Sequence, residues 1–172
     1  MMADTTARLL RVHTVELLRQ PGLRREISVA APAASLGVHD SRLTADVNVD
    51  LVAESSVDGI LVAGTVEVAW DDECRRCLRP LEQRVPVEVS ELYQQEVSHE
   101  EAFEIGPDAL DLVPLVRDAV VLVLADPPPL CIAACAGLCP LCGIDRNQQT
   151  CACDTEVRDH RWAALDELRT ED

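Results

Sequence analysis

Eight cysteines in 172 residues, six of them between Cys131 and Cys153, constrain this fold more than any other feature. The run LCIAACAGLCPLCGIDRNQQTCACD holds Cys131 and Cys135, then Cys139 and Cys142, then Cys151 and Cys153, while Cys74 and Cys77 stand far upstream in ECRRC. A C-x-x-C turn aims two sulfurs at one point, and Gly143 after Cys142 lets the chain fold back around an ion. Four thiolates at about 2.3 Å close a tetrahedral structural zinc site, and soft sulfur donors suit zinc or an iron–sulfur cluster. Nothing in the spacing marks a redox cluster, so zinc is the expected metal. Cys139, Cys142, Cys151 and Cys153 are the expected ligands, with Cys131 and Cys135 as alternates for the second pair. Six thiols exceed one tetrahedral site, and the pair left over can join Cys74 and Cys77 in a second one.

An even cysteine count also permits disulfides, so the compartment matters. The stretch MMADTTARLLRVHTVELL carries acidic and polar residues where a secretion signal needs an apolar core. No apolar run approaches the roughly 20 residues that span a bilayer; Leu112 to Ala125 is interrupted by Pro114, Arg117 and Asp118. The expected location is the cytoplasm, where clustered cysteines serve metal binding or catalysis rather than disulfides. The formal net charge is −16, and all fifteen basic residues are arginine, with no lysine. Residues 1–25 hold five arginines against Asp4 and Glu16, so the acid is concentrated in the remainder. Such a body suits a basic partner, and a phosphate backbone could meet only a local basic face.

Period-two alternation dominates the first half. Leu43, Ala45, Val47, Val49 and Leu51 alternate with Thr44, Asp46, Asn48 and Asp50. Ile60, Val62, Val66, Val68 and Trp70 form a second such segment, and Leu81, Val85, Val87 and Val89 a third. Each reads as a half-buried strand. A strand over Arg24 to Ala30 precedes them, after a short helix from Val15 to Arg19 that Thr14 is expected to cap. The Ser55–Gly59 stretch SSVDG turns the chain, and the first cysteine pair tips the next hairpin, so neighbouring strands are antiparallel. After an acidic loop over residues 96–108 the period becomes helical: Asp111 is the expected N-cap, and Leu112, Leu115, Val116, Ala119, Leu122 and Val123 recur on one face. Val113, Val120 and Leu124 on the other face predict a helix well buried against the sheet. Asp159 to Leu168 reads as a short amphipathic helix. The expected fold is α+β: an antiparallel sheet of meanders and hairpins covered by one main helix, over residues 1–130, with a small Cys-rich zinc-binding C-terminal lobe over residues 131–172.

Three readings apply to the Cys74/Cys77 pair. It is a half-site for metal, a redox pair, or a recognition tip on which Arg75, Arg76 and Arg79 reach phosphate. A redox pair of the thioredoxin type needs a βαβ context, whereas this pair sits on a hairpin. The plain alternative for the arginines is a solvated turn neutralised by Asp71, Asp72 and Glu73. The histidines, His13, His39, His99 and His160, are scattered. There is no nucleophile elbow, glycine-rich phosphate loop or paired-carboxylate motif, so neither enzyme activity nor a small-molecule substrate is expected.

CRRCL, the strand leading to Glu91, DLVPLVRDAVVLVL, the long cysteine run and DHRWAAL together resemble the YceD family, over about Arg24 to Leu168. Its members are described as large ribosomal RNA subunit accumulation proteins. Arg146 and His160 depart from the family pattern, and neither touches a cysteine. The resemblance implies a non-enzymatic role in large-subunit rRNA accumulation and ribosome assembly. The partner is then precursor rRNA, met by the arginine-bearing tip, or a basic ribosomal protein or assembly factor, chaperoned by the acidic body. A zinc-dependent redox-sensing holdase is the competing class.

Overall fold

The computed structural model describes residues 8–97, 102–107, 109–154 and 161. The helix expected over Asp159 to Leu168 falls outside the described residues, as do His99 and His160. Contacts divide the chain into two compact units, Met1–Asp72 with Pro80–Pro127, and Glu73–Arg79 with Pro128–Asp172.

The first unit is built from strands β1 (Arg11–His13), β2 (Arg24–Ala31), β3 (Val47–Ser55), β4 (Ile60–Glu73, whose last residue belongs to the second unit), β5 (Pro80–Gln94), β6 (Phe103–Glu104) and β7 (Ala109–Asp111), with helices α1 (Val15–Arg19) and α2 (Val113–Ala125). Five strands form one sheet in the order β2-β3-β4-β5-β6, and β1 pairs with β7 in a separate ribbon. The β2–β3 and β3–β4 pairs are antiparallel, and β5–β6 is a short parallel pair that sets Tyr93 beside Phe103. A hairpin connects β4 to β5 through residues 74–79, and it carries the first cysteine pair.

Alternation explains the burial. In β3, Val47, Val49, Leu51 and Ala53 are buried while Asn48 and Asp50 are exposed. Along β4 the inward row runs Ile60, Val62, Gly64, Val66, Val68, Trp70. Gly64 has φ 151°, and a Cβ there would lie 2.2 Å from the Asp50 carbonyl oxygen. The missing side chain thus lets β4 pass close over β3. Val85, Val87 and Val89 of β5 are only half-buried against the same core.

Several local expectations change. The strand expected from Leu43 begins at Val47, and Leu43 makes only an isolated bridge to Trp70. Arg42 holds the preceding chain in a turn: its guanidinium donates to Asp40 at 2.8 Å, to Asp72 at 3.3 Å and to the Leu124 carbonyl at 3.0 Å. The last bond satisfies one of the carbonyls that the C-terminus of α2 leaves without an intrahelical partner. Thr14 makes no side-chain cap on α1. Asp111 closes β7, Leu112 is the N-cap of α2, and the Asp111 carboxylate instead accepts the Val113 N–H at 3.0 Å. On α2, Val116, Ala119, Val120 and Val123 join the core, but Leu122 is 66 % exposed and Val121 46 %. The helix therefore buries one stripe rather than its whole girth. The fold is α+β, with a mostly antiparallel sheet, few helices and a cysteine-rich C-terminal region.

Candidate metal centres

All eight cysteines fall in the second unit as free thiols, in two groups of four. Cys74, Cys77, Cys131 and Cys135 form one group, and Cys139, Cys142, Cys151 and Cys153 the other; within each, the sulfurs lie within 4.8 Å of one another. In the first group Cys77 and Cys131 are 3.5 Å apart and Cys74 and Cys135 3.8 Å, Sγ to Sγ. Each group can hold a metal ion. Neither His13 nor His39 joins such a group among the described residues.

The two groups start from the same turn. The Cys74 N–H donates to the carbonyl five residues on, at Arg79, and the Cys139 N–H to the carbonyl five residues on, at Ile144, both at 2.8 Å. The residue after the second cysteine, Leu78 or Gly143, donates its N–H back to the first cysteine's carbonyl, both at 2.9 Å. That residue is left-handed in both turns, with φ 58° at Leu78 and 75° at Gly143. Gly143 signals this conformation in the sequence, whereas Leu78 hides it, because an L-residue adopts it only at a steric cost. Each turn is completed from downstream: Cys131 and Cys135 close the first group, and Cys151 and Cys153 the second.

N–H groups of each turn, joined at Cys74 by that of Cys131, act on the first sulfur. Burial pushes the Cys74 thiol up, but the N–H groups of Arg76, Cys131 and Cys77 outweigh it and bring the pKa down to about 6. Those of Cys142 and Leu141 bring Cys139 down to about 6 against its burial. The opposite happens to one later thiol in each group. Burial and then its cysteine neighbours push Cys131 up to about 12, and the Cys142 thiol followed by burial pushes Cys153 up to about 12. Several thiolates cannot share so small a space without a cation, because like charges at this range disfavour joint ionisation. This donor set therefore fits a soft metal ion, which would neutralise them.

A polar loop ties the groups together, and sequence reasoning missed it. Asn147 donates from Nδ2 to Cys135 Sγ at 3.4 Å and to Asp145 at 2.6 Å, and its Oδ1 accepts the Ala136 N–H at 2.7 Å. Asp145 also faces Arg79 at 3.6 Å. N–H bonds from Asn147 and Gln148, with the Arg79 charge, outweigh burial and lower the Asp145 carboxyl. Gly137 (φ 73°) lets Leu138 reach the Arg76 carbonyl at 3.0 Å, where a Cβ would crowd that same oxygen. Asn147 sits outside every cysteine spacing, so only its amide beside a sulfur reveals it. Of the three tip arginines, Arg79 is thus engaged, while Arg75 and Arg76 are exposed and have no ionic partner among the described residues.

Fold and site together define an α+β protein with two four-cysteine groups on matched turns. The chain belongs to the YceD family, described as large ribosomal RNA subunit accumulation protein, whose model matches residues 62–169. Uncharacterized proteins of Mycobacterium tuberculosis and Mycobacterium bovis are each 33 % identical over 168 residues, covering 91 % of this chain and 80 % of theirs. An uncharacterized protein of Mycobacterium leprae is 35 % identical over 106 residues, covering 58 % of this chain and 48 % of its own. No solved structure matches the chain. Among the described residues no helix is long and apolar enough to cross a membrane.

Proposed function

We propose that the protein is a non-enzymatic cytoplasmic factor in large-subunit rRNA accumulation, and that two structural zinc ions fix an arginine-bearing hairpin tip for contact with precursor rRNA. Cys139, Cys142, Cys151 and Cys153 hold one ion, and Cys74, Cys77, Cys131 and Cys135 the other. Sulfurs around a tetrahedral zinc at about 2.3 Å stand about 3.8 Å apart, and separations of 3.5 and 3.8 Å support that reading. The family description supports the ribosomal role.

The observation that carries the contact is the pairing state of the tip. Arg75 and Arg76 are exposed between Cys74 and Cys77, whose turn holds their backbone, and they lack ionic partners among the described residues. Their side chains are free to meet phosphate, with little ordering of the backbone needed on binding. Arg79, facing Asp145, steadies the turn rather than leading the contact. Arg75→Ala combined with Arg76→Ala is expected to weaken rRNA crosslinking in cells while zinc content stays at the wild-type level. Unchanged crosslinking would refute the contact.

A further inference from the structure

The first unit holds a cavity of about 420 Å³ that none of the cysteine chemistry uses. Among the described residues its wall carries Glu91, Glu104, Asp111 and Asp118 against a single cation, Arg11, and two aromatic rings, Tyr93 and Phe103. The rings are 5.5 Å apart at 34°, placed side by side by the β5–β6 pair. Phe103 is 48 % exposed, a large apolar surface left open to water, whereas Tyr93 is 5 % exposed. The Tyr93 hydroxyl makes no hydrogen bond among the described residues. Burial and then Glu91, Asp111 and Asp118 push its pKa up to about 12. Tyr93 and all three of those carboxylates line the cavity.

We propose that this cavity is the docking site for an arginine side chain carried on a flexible basic segment of a partner protein. Four carboxylates against one guanidinium attract a cation, and a phosphate group would meet the same field as repulsion. The choice of arginine follows from the rings. A guanidinium stacks flat on an aromatic face while its fork of N–H donors reaches carboxylates and a phenol oxygen. An ammonium is a strongly hydrated point charge and makes poorer use of both. The net charge of −16 adds long-range attraction for a segment bearing several cations. This site uses residues of the first unit alone and does not rest on the metal or rRNA readings.

The test titrates the full chain with a fluorescent peptide of alternating arginine and glycine and follows its anisotropy. Glu91→Gln with Asp118→Asn is expected to weaken binding by at least about tenfold, the scale of a lost close charge pair. Glu26→Gln with Glu82→Gln removes as much charge from exposed positions elsewhere on the unit and is expected to leave binding within about twofold. Equal losses in the two double variants would overturn the site in favour of general electrostatics. Tyr93 is the only tyrosine, so ¹³C-tyrosine NMR reports on the cavity in the unaltered protein. Its ring signals are expected to shift saturably with the arginine peptide. No shift, the same shift with an oligouridine, or equally tight binding of a lysine peptide would each overturn the proposal.

Discussion

Replacing Leu78 tests whether the two turns share a backbone. Leu78 has φ 58° and is 55 % exposed. Truncating it forfeits somewhat less than half of the ~1.5–3 kcal/mol that a fully buried leucine contributes, so about 1 kcal/mol. Leu78→Ala keeps the left-handed penalty of about 1–2 kcal/mol and should be destabilised by that ~1 kcal/mol. Leu78→Gly loses the same contact but sheds the penalty, offset by about 0.4–1 kcal/mol of extra freedom in the unfolded chain. Glycine should therefore exceed alanine at this site by about 0.5–1 kcal/mol and fall close to wild type. The order inverts the usual one, in which alanine stabilises. At Gly143, with φ 75° and no atom within 4 Å of an added Cβ, Gly143→Ala should cost about 0.5–1 kcal/mol from backbone strain alone. The assay is urea unfolding of zinc-replete protein followed by far-ultraviolet circular dichroism, comparing midpoints at constant slope. A Leu78→Ala protein more stable than Leu78→Gly would refute the matched-turn account.

Zinc-replete protein should carry two equivalents per chain by mass spectrometry, one for each four-cysteine group. Cys77→Ser and Cys142→Ser should each lose one equivalent, and either variant losing both would refute independent sites. Asn147→Ala strips the partner from the Ala136 N–H and one donor from Cys135; it should cost about 1–3 kcal/mol and hasten release of one zinc to a chelator, with unchanged release counting against it. The Arg42 hydrogen bonds hold the Asp40 carboxyl below its ordinary value. Its stabilisation is therefore full above the unfolded-state pKa and lost as pH falls through the lower folded-state value. Asp40→Asn should accordingly flatten the acid limb of the stability–pH curve, and an unaltered limb would refute this.

The long strands were legible because one face of each is buried and a side-chain period of two records that burial. Such a record needs length. The β1–β7 ribbon has three residues on each side and joins Arg11 to Asp111, so no local period could announce it. Hydrophobicity misled on α2, where Leu122 continues the stripe in the sequence yet faces solvent. For the cysteines, C-x-x-C gave the two turns, but which downstream pair completes each group depends on chain path. Cys131 and Cys135 return to a hairpin more than fifty residues earlier, while Cys151 and Cys153 close locally. Asn147 and the left-handed Leu78 carry no pattern at all.

The two groups also differ in when they can exist. Cys139 to Cys153 leave the ribosome almost together, so that group can close as soon as it is made. Cys77 waits for Cys135, 58 residues later, which at about 5–20 residues per second is roughly 3–12 s of synthesis. Through that interval Cys74 and Cys77 are an unmatched thiol pair on a nascent hairpin, open to oxidation or to a stray metal. The same long return means that residues 128–172 expressed alone would contain the later group whole and only half of the earlier one.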